Sequence, residues 1–261
     1  MNQALWISKT GLSAQDTRLA TISNNLANAS TVGFKRDSVV FEDLLYQIHR
    51  QPGAQSSQNT QLPSGLQVGT GVRVIGSQKD YSAGSVDITE KAFDWAIDGR
   101  GFFEILQPDG TSGYSRNGQF QISAEGQIVN SRGLILQPPI TVPDNAQNVT
   151  ISADGIVEAT IAGQAAGQNL GTVQIVNFVN PTGLQATGSN MYVETAASGA
   201  PQVGTPGNEG LGRIEQGALE NSNVDVVEEL VNMITTQRTY EMNSKVISTA
   251  DQMLQFVSQN L

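Results

Sequence analysis

An apolar heptad repeat occupies each end of this chain, and the pair of repeats limits the fold more than anything lying between them. Leu5, Leu12, Leu19 and Leu26 recur every seventh residue, with Ile22 and Ala29 at intermediate positions. At the other end Val226, Met233, Tyr240, Ile247, Leu254 and Leu261 keep the same spacing, with Leu230, Ala250 and Val257 beside them. A repeat of this period describes a narrow helical seam. Two such stripes, separated by most of a chain, pair only if the ends return to one another or meet between subunits. That requirement points to a building block of an assembly rather than to an enzyme.

The first helix is expected over residues 3–30. Gly11 inside it costs about 1 kcal/mol relative to alanine. Thr31-Val32-Gly33 ends it, with Gly33 suited to a left-handed position. The second helix opens after Ser222-Asn223-Val224-Asp225, where Ser222, Asn223 or Asp225 can cap it, and Glu228 and Glu229 complement its dipole. Run to Leu261 it would be about 35 residues, or roughly 50 Å. Helices of this kind are marginal in water until an apolar face is packed. The ends are therefore expected to order fully only when neighbours cover them.

Between the helices the pattern changes. Residues 34–47 read as extended or partly helical. Gln51 to Gly65 is polar, rich in turn formers and aperiodic, with Pro52, Gly53, Pro63 and Gly65 as its stiffest or most permissive points. Two readings of this arm stay open: a hairpin lying on a neighbouring subunit, or a flexible filler. From Val68 to Gln216 short alternating runs such as Gln119–Ser123 and Val173–Val179 are punctuated by Asp98-Gly99, Asp109-Gly110, Asn117-Gly118, Glu125-Gly126 and Asp154-Gly155. The predicted fold is α+β. N- and C-terminal helices pair as a coiled-coil-like layer, with an inserted all-β domain (an antiparallel sandwich or barrel-like form) and an extended arm. Expected boundaries are 1–33 for the first helix, 34–93 for a linker with its arm at about 46–68, 94–200 for the β domain, 201–221 for a return linker and 222–261 for the last helix.

Chemistry is sparse. A net charge of −10 with only 14 lysines and arginines argues against nucleic acid, whose phosphates demand clustered cations. There is no cysteine and a single histidine, His49, beside the arm. Zinc sites of the usual ligand sets are excluded, and a lone solvated histidine lacks the converging partners a catalytic base needs. Gly99-Arg100-Gly101 lacks the third glycine of a nucleotide fingerprint. Glu42-Asp43 and Glu228-Glu229 are sequence neighbours, so neither is a pair facing across a cleft. No catalytic residue, metal, cofactor or small-molecule substrate is expected. The first residues lack a basic segment followed by a long apolar run, so no cleaved secretory signal is expected. No stretch approaches the ~20 apolar residues that cross a bilayer.

The junction residues carry a resemblance. Asn24-Asn25-Leu26-Ala27-Asn28, followed by Gly33-Phe34-Lys35-Arg36, resembles the rod motif of the axial proteins of the bacterial flagellum. Ser222-Asn223-Val224 and Glu229 to Ile234, running on into Gln237 to Lys245, resemble the C-terminal segment of the same rod and hook family. Asp94 to Phe103 and Tyr114-Ser115-Arg116-Asn117-Gly118 resemble its β domain. Chain length and the arm set this sequence apart from hook and proximal rod members. The resemblance implies a structural subunit of the distal rod, polymerising as a rigid helical tube around an export channel and transmitting torque to the hook. Implied partners are other copies of the chain, proximal rod and hook proteins along the axis, the L- and P-ring proteins around it, and the flagellar type III export apparatus. Its implied location is the basal body, reached by export without a cleaved signal. The subunit-packing residues implied are Leu5, Leu12, Leu19, Ile22 and Leu26 on the first helix. On the second they are Val226, Leu230, Met233, Tyr240, Ile247, Leu254 and Val257.

Overall fold

The computed structural model describes residues 3–53, 55–57, 60, 61, 63–161, 167–208 and 210–259. It divides into two compact units, each assembled from distant parts of the chain. The first contains residues 1–27, 37–78 and 225–261; the second contains 28–36 and 79–224.

In the first unit helix α1 spans Gln3–Ala27 and helix α2 spans Val226–Gln259. Asp225 begins α2 by capping it: its Oδ1 accepts the Val227 and Glu228 N–H groups at 2.8 and 3.2 Å, satisfying donors that have no partner within the helix. The two helices lie against one another, with Gly11 facing the Asn243 side chain. Strand Asp37–Asp43 packs on α1 and pairs with strand Val72–Lys79. Asn25 fixes that contact. Its buried amide donates to Asp37 O at 2.8 Å and accepts the Asp37 N–H at 2.9 Å, as an adjacent strand would.

The arm is a β-hairpin. Strand Tyr46–Arg50 pairs antiparallel with Leu66–Gly69, and Gln55–Ser57 with Thr60–Gln61 beyond it. Of the arm residues singled out in the sequence, Pro52 and Gly53 form a turn and Pro63 a bend. Gly65 sits where any Cβ would collide with Arg50 O and lie 2.7 Å from Pro52, so glycine is needed for the strands to close. Ala54, Gln58, Asn59 and Leu62 lie outside the described residues.

The second unit is antiparallel throughout its paired strands. Its main sheet runs in the order 185–188, 191–193, 112–115, 102–106, 175–177 and 202–204, with 136–137 also joined to 102–106. The order does not return to its first strand, so among the described residues this sheet is open rather than a closed barrel. A three-stranded sheet (146–151, 156–161, 168–172) and shorter pairs complete the unit. Both faces of the main sheet are covered, as alternate side chains on a strand point opposite ways. Phe103 and Ile175 face a core with Trp95, Phe120, Ile128 and Leu136, while Phe102 and Val176 face a second cluster with Tyr114, Phe178 and Tyr192.

The span read as a return linker carries three strands instead. Gln202–Gly204 pairs with Ile175–Asn177, Arg213–Gln216 with Trp95–Asp98, and Ala218–Glu220 with Val86–Ile88. Gln216 stitches this return to two others: its Nε2 donates to Ala92 O and Val149 O at 2.9 and 2.8 Å, and its Oε1 accepts the Ile151 N–H at 3.1 Å.

Candidate assembly interface

Apart from Ile22, the fully buried residues of α1 and of the described part of α2 are small or polar. Ser8, Ala14, Ile22 and Asn25 are the buried residues of α1. On α2 the buried positions are Glu229, Thr236 and Ala250, and Asn243 faces Gly11 between them. These four positions are themselves a heptad. It runs beside the apolar repeat and is hidden from a search for leucines. Thr236 spends its hydroxyl on Asn232 O at 2.6 Å, so its presence in the seam leaves no unpaired donor.

The apolar repeat flanks this seam. Leu5, Leu12, Leu19 and Leu26 are half-buried, as are Met233 and Ile247; Ile22 is buried. Val226, Leu230, Tyr240 and Leu254 are exposed. The Val257 side chain and all of Leu261 lie outside the described residues. Further apolar side chains of α2 are exposed as well: Val227, Val231, Ile234, Met242, Val246, Met253 and Phe256. A helix with apolar residues on more than one side is built to be covered on more than one side.

The motif segments meet inside the second unit. Gly33 holds φ +70°, and its N–H donates to Glu220 O at 2.8 Å. Lys35, fully buried, places Nζ 2.8 Å from Glu220 Oε1 and donates also to Ser82 O. Arg116 brings Nε to 2.8 Å from Glu220 Oε2 and Nη2 to 3.2 Å from Oε1. Its remaining donors reach Gly101 O and Gly99 O at 2.7 and 2.9 Å. The Gly84 N–H adds a fourth contact to the Glu220 carboxylate, at 3.0 Å. One residue beyond Lys35, the Arg36 N–H donates to Asn223 Oδ1 at 2.8 Å, and Asn223 Nδ2 donates to Asp80 O at 2.9 Å. Burial pushes the Glu220 carboxyl upward, but Arg116 and Lys35 together outweigh it and hold the group below its ordinary range. Burial lowers Lys35, and the pull of Glu220 does not fully restore it. Other motif residues close the corner. Asn28 Oδ1 accepts the Thr31 hydroxyl at 3.1 Å, and the Phe34 ring carries Lys79 Nζ 5.4 Å from its centre. Asn24 is exposed on α1.

Arg116 and Glu220 drew no role from the sequence alone. Arg116 sits in a segment quoted only for its resemblance, and Glu220 is a single carboxylate ahead of a helix cap. Lys35 was the available clue, because a lysine buried by its neighbours requires a carboxylate somewhere in the fold.

Three family models match in succession. Residues 5–35 match "Flagella basal body rod protein", residues 96–159 "Flagellar hook protein FlgE/F/G D1 domain", and residues 215–260 "Flagellar basal body rod FlgEFG protein C-terminal". The chain is 53% identical over 259 residues to the flagellar basal-body rod protein FlgG of Buchnera aphidicola subsp. Schizaphis graminum, covering 99% of this chain and 100% of that one. Identity to FlgG of Caulobacter vibrioides is 47%, with 98% of each chain covered. Identity to FlgG of Bacillus subtilis is 36%, covering 98% of this chain and 97% of that one. The chain belongs to the FlgG family of flagellar basal-body rod proteins. It is a structural subunit of the flagellar rod, not an enzyme. It assembles in the basal body with other rod and hook components.

Proposed function

We propose that this chain builds the distal rod as a helical homopolymer, in which α1 and α2 form an inner layer around an export channel and the β-rich unit forms the outer layer. The observation that carries this reading is the exposed apolar surface of α2, from Val226 to Phe256, on a helix already paired with α1. Such a surface is unfavourable in water and is removed by packing copies together. Leu5, Leu12, Leu19, Ile22 and Leu26 on one helix, with Val226, Leu230, Met233, Tyr240, Ile247, Leu254 and Val257 on the other, are the packing positions.

The axial partners in this reading are proximal rod and hook proteins, with the L- and P-ring proteins surrounding the tube. Subunits arrive through the flagellar type III export apparatus. The hairpin arm, with Pro52, Gly53, Pro63 and Gly65, bridges neighbouring subunits and makes the tube stiff enough to pass torque to the hook. Exposed Tyr46, Ile48 and Leu66 on its strands suit it to lie on another subunit. Electron microscopy of basal bodies from a gene-deletion strain tests the assignment: a short proximal rod without a hook is expected, and an intact flagellum would defeat it. Deleting residues 47–65 should give a more bendable rod, and unchanged bending stiffness would remove the arm's role. Tyr240→Asp and Leu254→Asp should each stop rod assembly while export continues; normal rods from either would count against the helical packing.

A further inference from the structure

Segments far apart in sequence are tied at three successive places in the second unit. The chain coming from α1 bonds through Gly33 to Glu220 O, through Lys35 to the Glu220 carboxylate, and through Arg36 to Asn223. The last of these residues lies just ahead of α2. At the middle tie two cations and one carboxylate are almost wholly removed from water: Lys35 is 0%, Glu220 2% and Arg116 4% exposed. Burying ions is a costly way to hold two segments together, because each loses its hydration, and apolar side chains of similar volume often stabilise such a site as well or better. What an ion network adds is discrimination between arrangements. The Arg116 fork accepts a carboxylate in only a narrow geometry. A one-residue slip of the outgoing segment would present Leu219 or Asn221 in place of Glu220, leaving two buried cations without their carboxylate.

We infer that Lys35, Arg116 and Glu220 are positioning residues for assembly, fixing the register of the incoming chain against the outgoing chain so that α1 and α2 leave the second unit as a matched pair. The consequence for the helices rests on their role as the assembly face proposed above. The three most family-like stretches of the sequence thereby acquire one shared purpose, since each contributes to this clasp or to its flanks.

The chain has no cysteine, so a disulfide reports helix register cleanly. A Cβ at Gly11 would lie 3.7 Å from Asn243 Cγ, the place a cysteine sulfur would take, so the full chain carrying Gly11→Cys and Asn243→Cys should cross-link on mild oxidation. Adding Lys35→Met, Arg116→Met and Glu220→Leu should slow cross-linking at least about tenfold, because effective concentration falls when the geometry is no longer fixed. Emission from Trp95, wholly buried in the second unit, should stay native in a Trp6→Phe background. Lys35→Arg alone, which keeps the charge, should retain the parent rate. If the triple variant does not fold, Glu220→Gln faces the same rate criterion, since it removes the charge and keeps the shape. Cross-linking at the parent rate in a folded clasp variant overturns the positioning role and leaves the assembly reading standing. A parent pair that fails to cross-link overturns the helix pairing on which both depend.

Discussion

The two faces of α2 should respond to the same insult in opposite ways. Met242 is 61% exposed, whereas Thr236, less than two turns away, is 2% exposed and lies in the seam with α1. In a free subunit Met242→Asp loses little packing, so its cost is mainly lower helix propensity, about 0.5 kcal/mol. Thr236→Asp places a carboxylate in a closed seam that already contains buried Glu229, and should cost about 3 kcal/mol through desolvation and repulsion. In the polymer the order reverses for the exposed face. Full burial of a methionine side chain is worth about 1.5–3 kcal/mol, so covering the exposed part of Met242 contributes about 1–2 kcal/mol per subunit. Covering the eleven exposed apolar side chains among the described residues of α2 would together contribute on the order of 10 kcal/mol before entropy losses. A carboxylate at Met242 forfeits its share and adds the cost of burying a charge. Helical circular dichroism of purified subunits during heating, beside electron microscopy of basal bodies, separates the two effects. Met242→Asp subunits should melt near the parent temperature yet form no distal rod, while Thr236→Asp subunits should lose helix before any assembly. Normal rods from Met242→Asp, or a helix loss equal to that of Thr236→Asp, would refute the division of α2 into a seam and an assembly face.

Three further outcomes are expected. Gly33→Ala should destabilise the second unit by at least about 1–2 kcal/mol from its positive φ alone; its Cβ would also lie 2.7 Å from the Arg116 backbone carbon, and denaturant unfolding monitored at Trp95 measures the loss. Glu220 has a folded-state pKa below its ordinary 4.5, so its contribution is present above that value and is lost as pH falls from there through the lower folded value. Melting temperature against pH should show an acid limb that Glu220→Gln flattens, and an unchanged limb would place the acid sensitivity elsewhere. Tyr114 is buried, and desolvation, aided by Glu104 and Glu194, pushes its phenol up from 10.0 to about 12. The stability this group contributes is full below pH 10 and declines as pH rises towards 12, so ultraviolet titration should show one tyrosine ionising late and only as the unit unfolds.

The terminal helices were legible because a seven-residue repeat is a one-dimensional property. The glycine turns of the β-rich unit were legible for the same reason, and Asp225 was one of three local candidates for the second cap. Gly33 has the left-handed backbone expected of it but does not end α1, which stops at Ala27; its N–H goes instead to Glu220 O. The return strands 202–204, 213–216 and 218–220 were obscured by the glycines and prolines around them, and each finds its partner more than twenty residues away. Pairing at that range is set by the surface already folded, not by local preference.

The helix seam is the more instructive case. The leucines mark a half-buried stripe, while the buried positions of the two helices include Ser8, Ala14, Ile22, Thr236 and Ala250, with Gly11 against Asn243; Asn25 is spent on the strand at Asp37. Apart from Ile22, the buried residues are small or polar and let the two helices approach closely while much of the apolar surface of α2 stays exposed. Many large side chains of α2, among them Leu230, Tyr240, Met242, Met253 and Phe256, are left exposed. A subunit arranged the other way, with its leucines spent on its own helix pair, would be stable alone and would have little to gain from a neighbour. In the helical polymer proposed above, leaving these side chains exposed in the subunit moves part of the hydrophobic driving force from folding to polymerisation. The inferred role of the buried clasp of Lys35, Arg116 and Glu220 fits that arrangement, since it would set the register of the helix pair without spending the exposed apolar side chains.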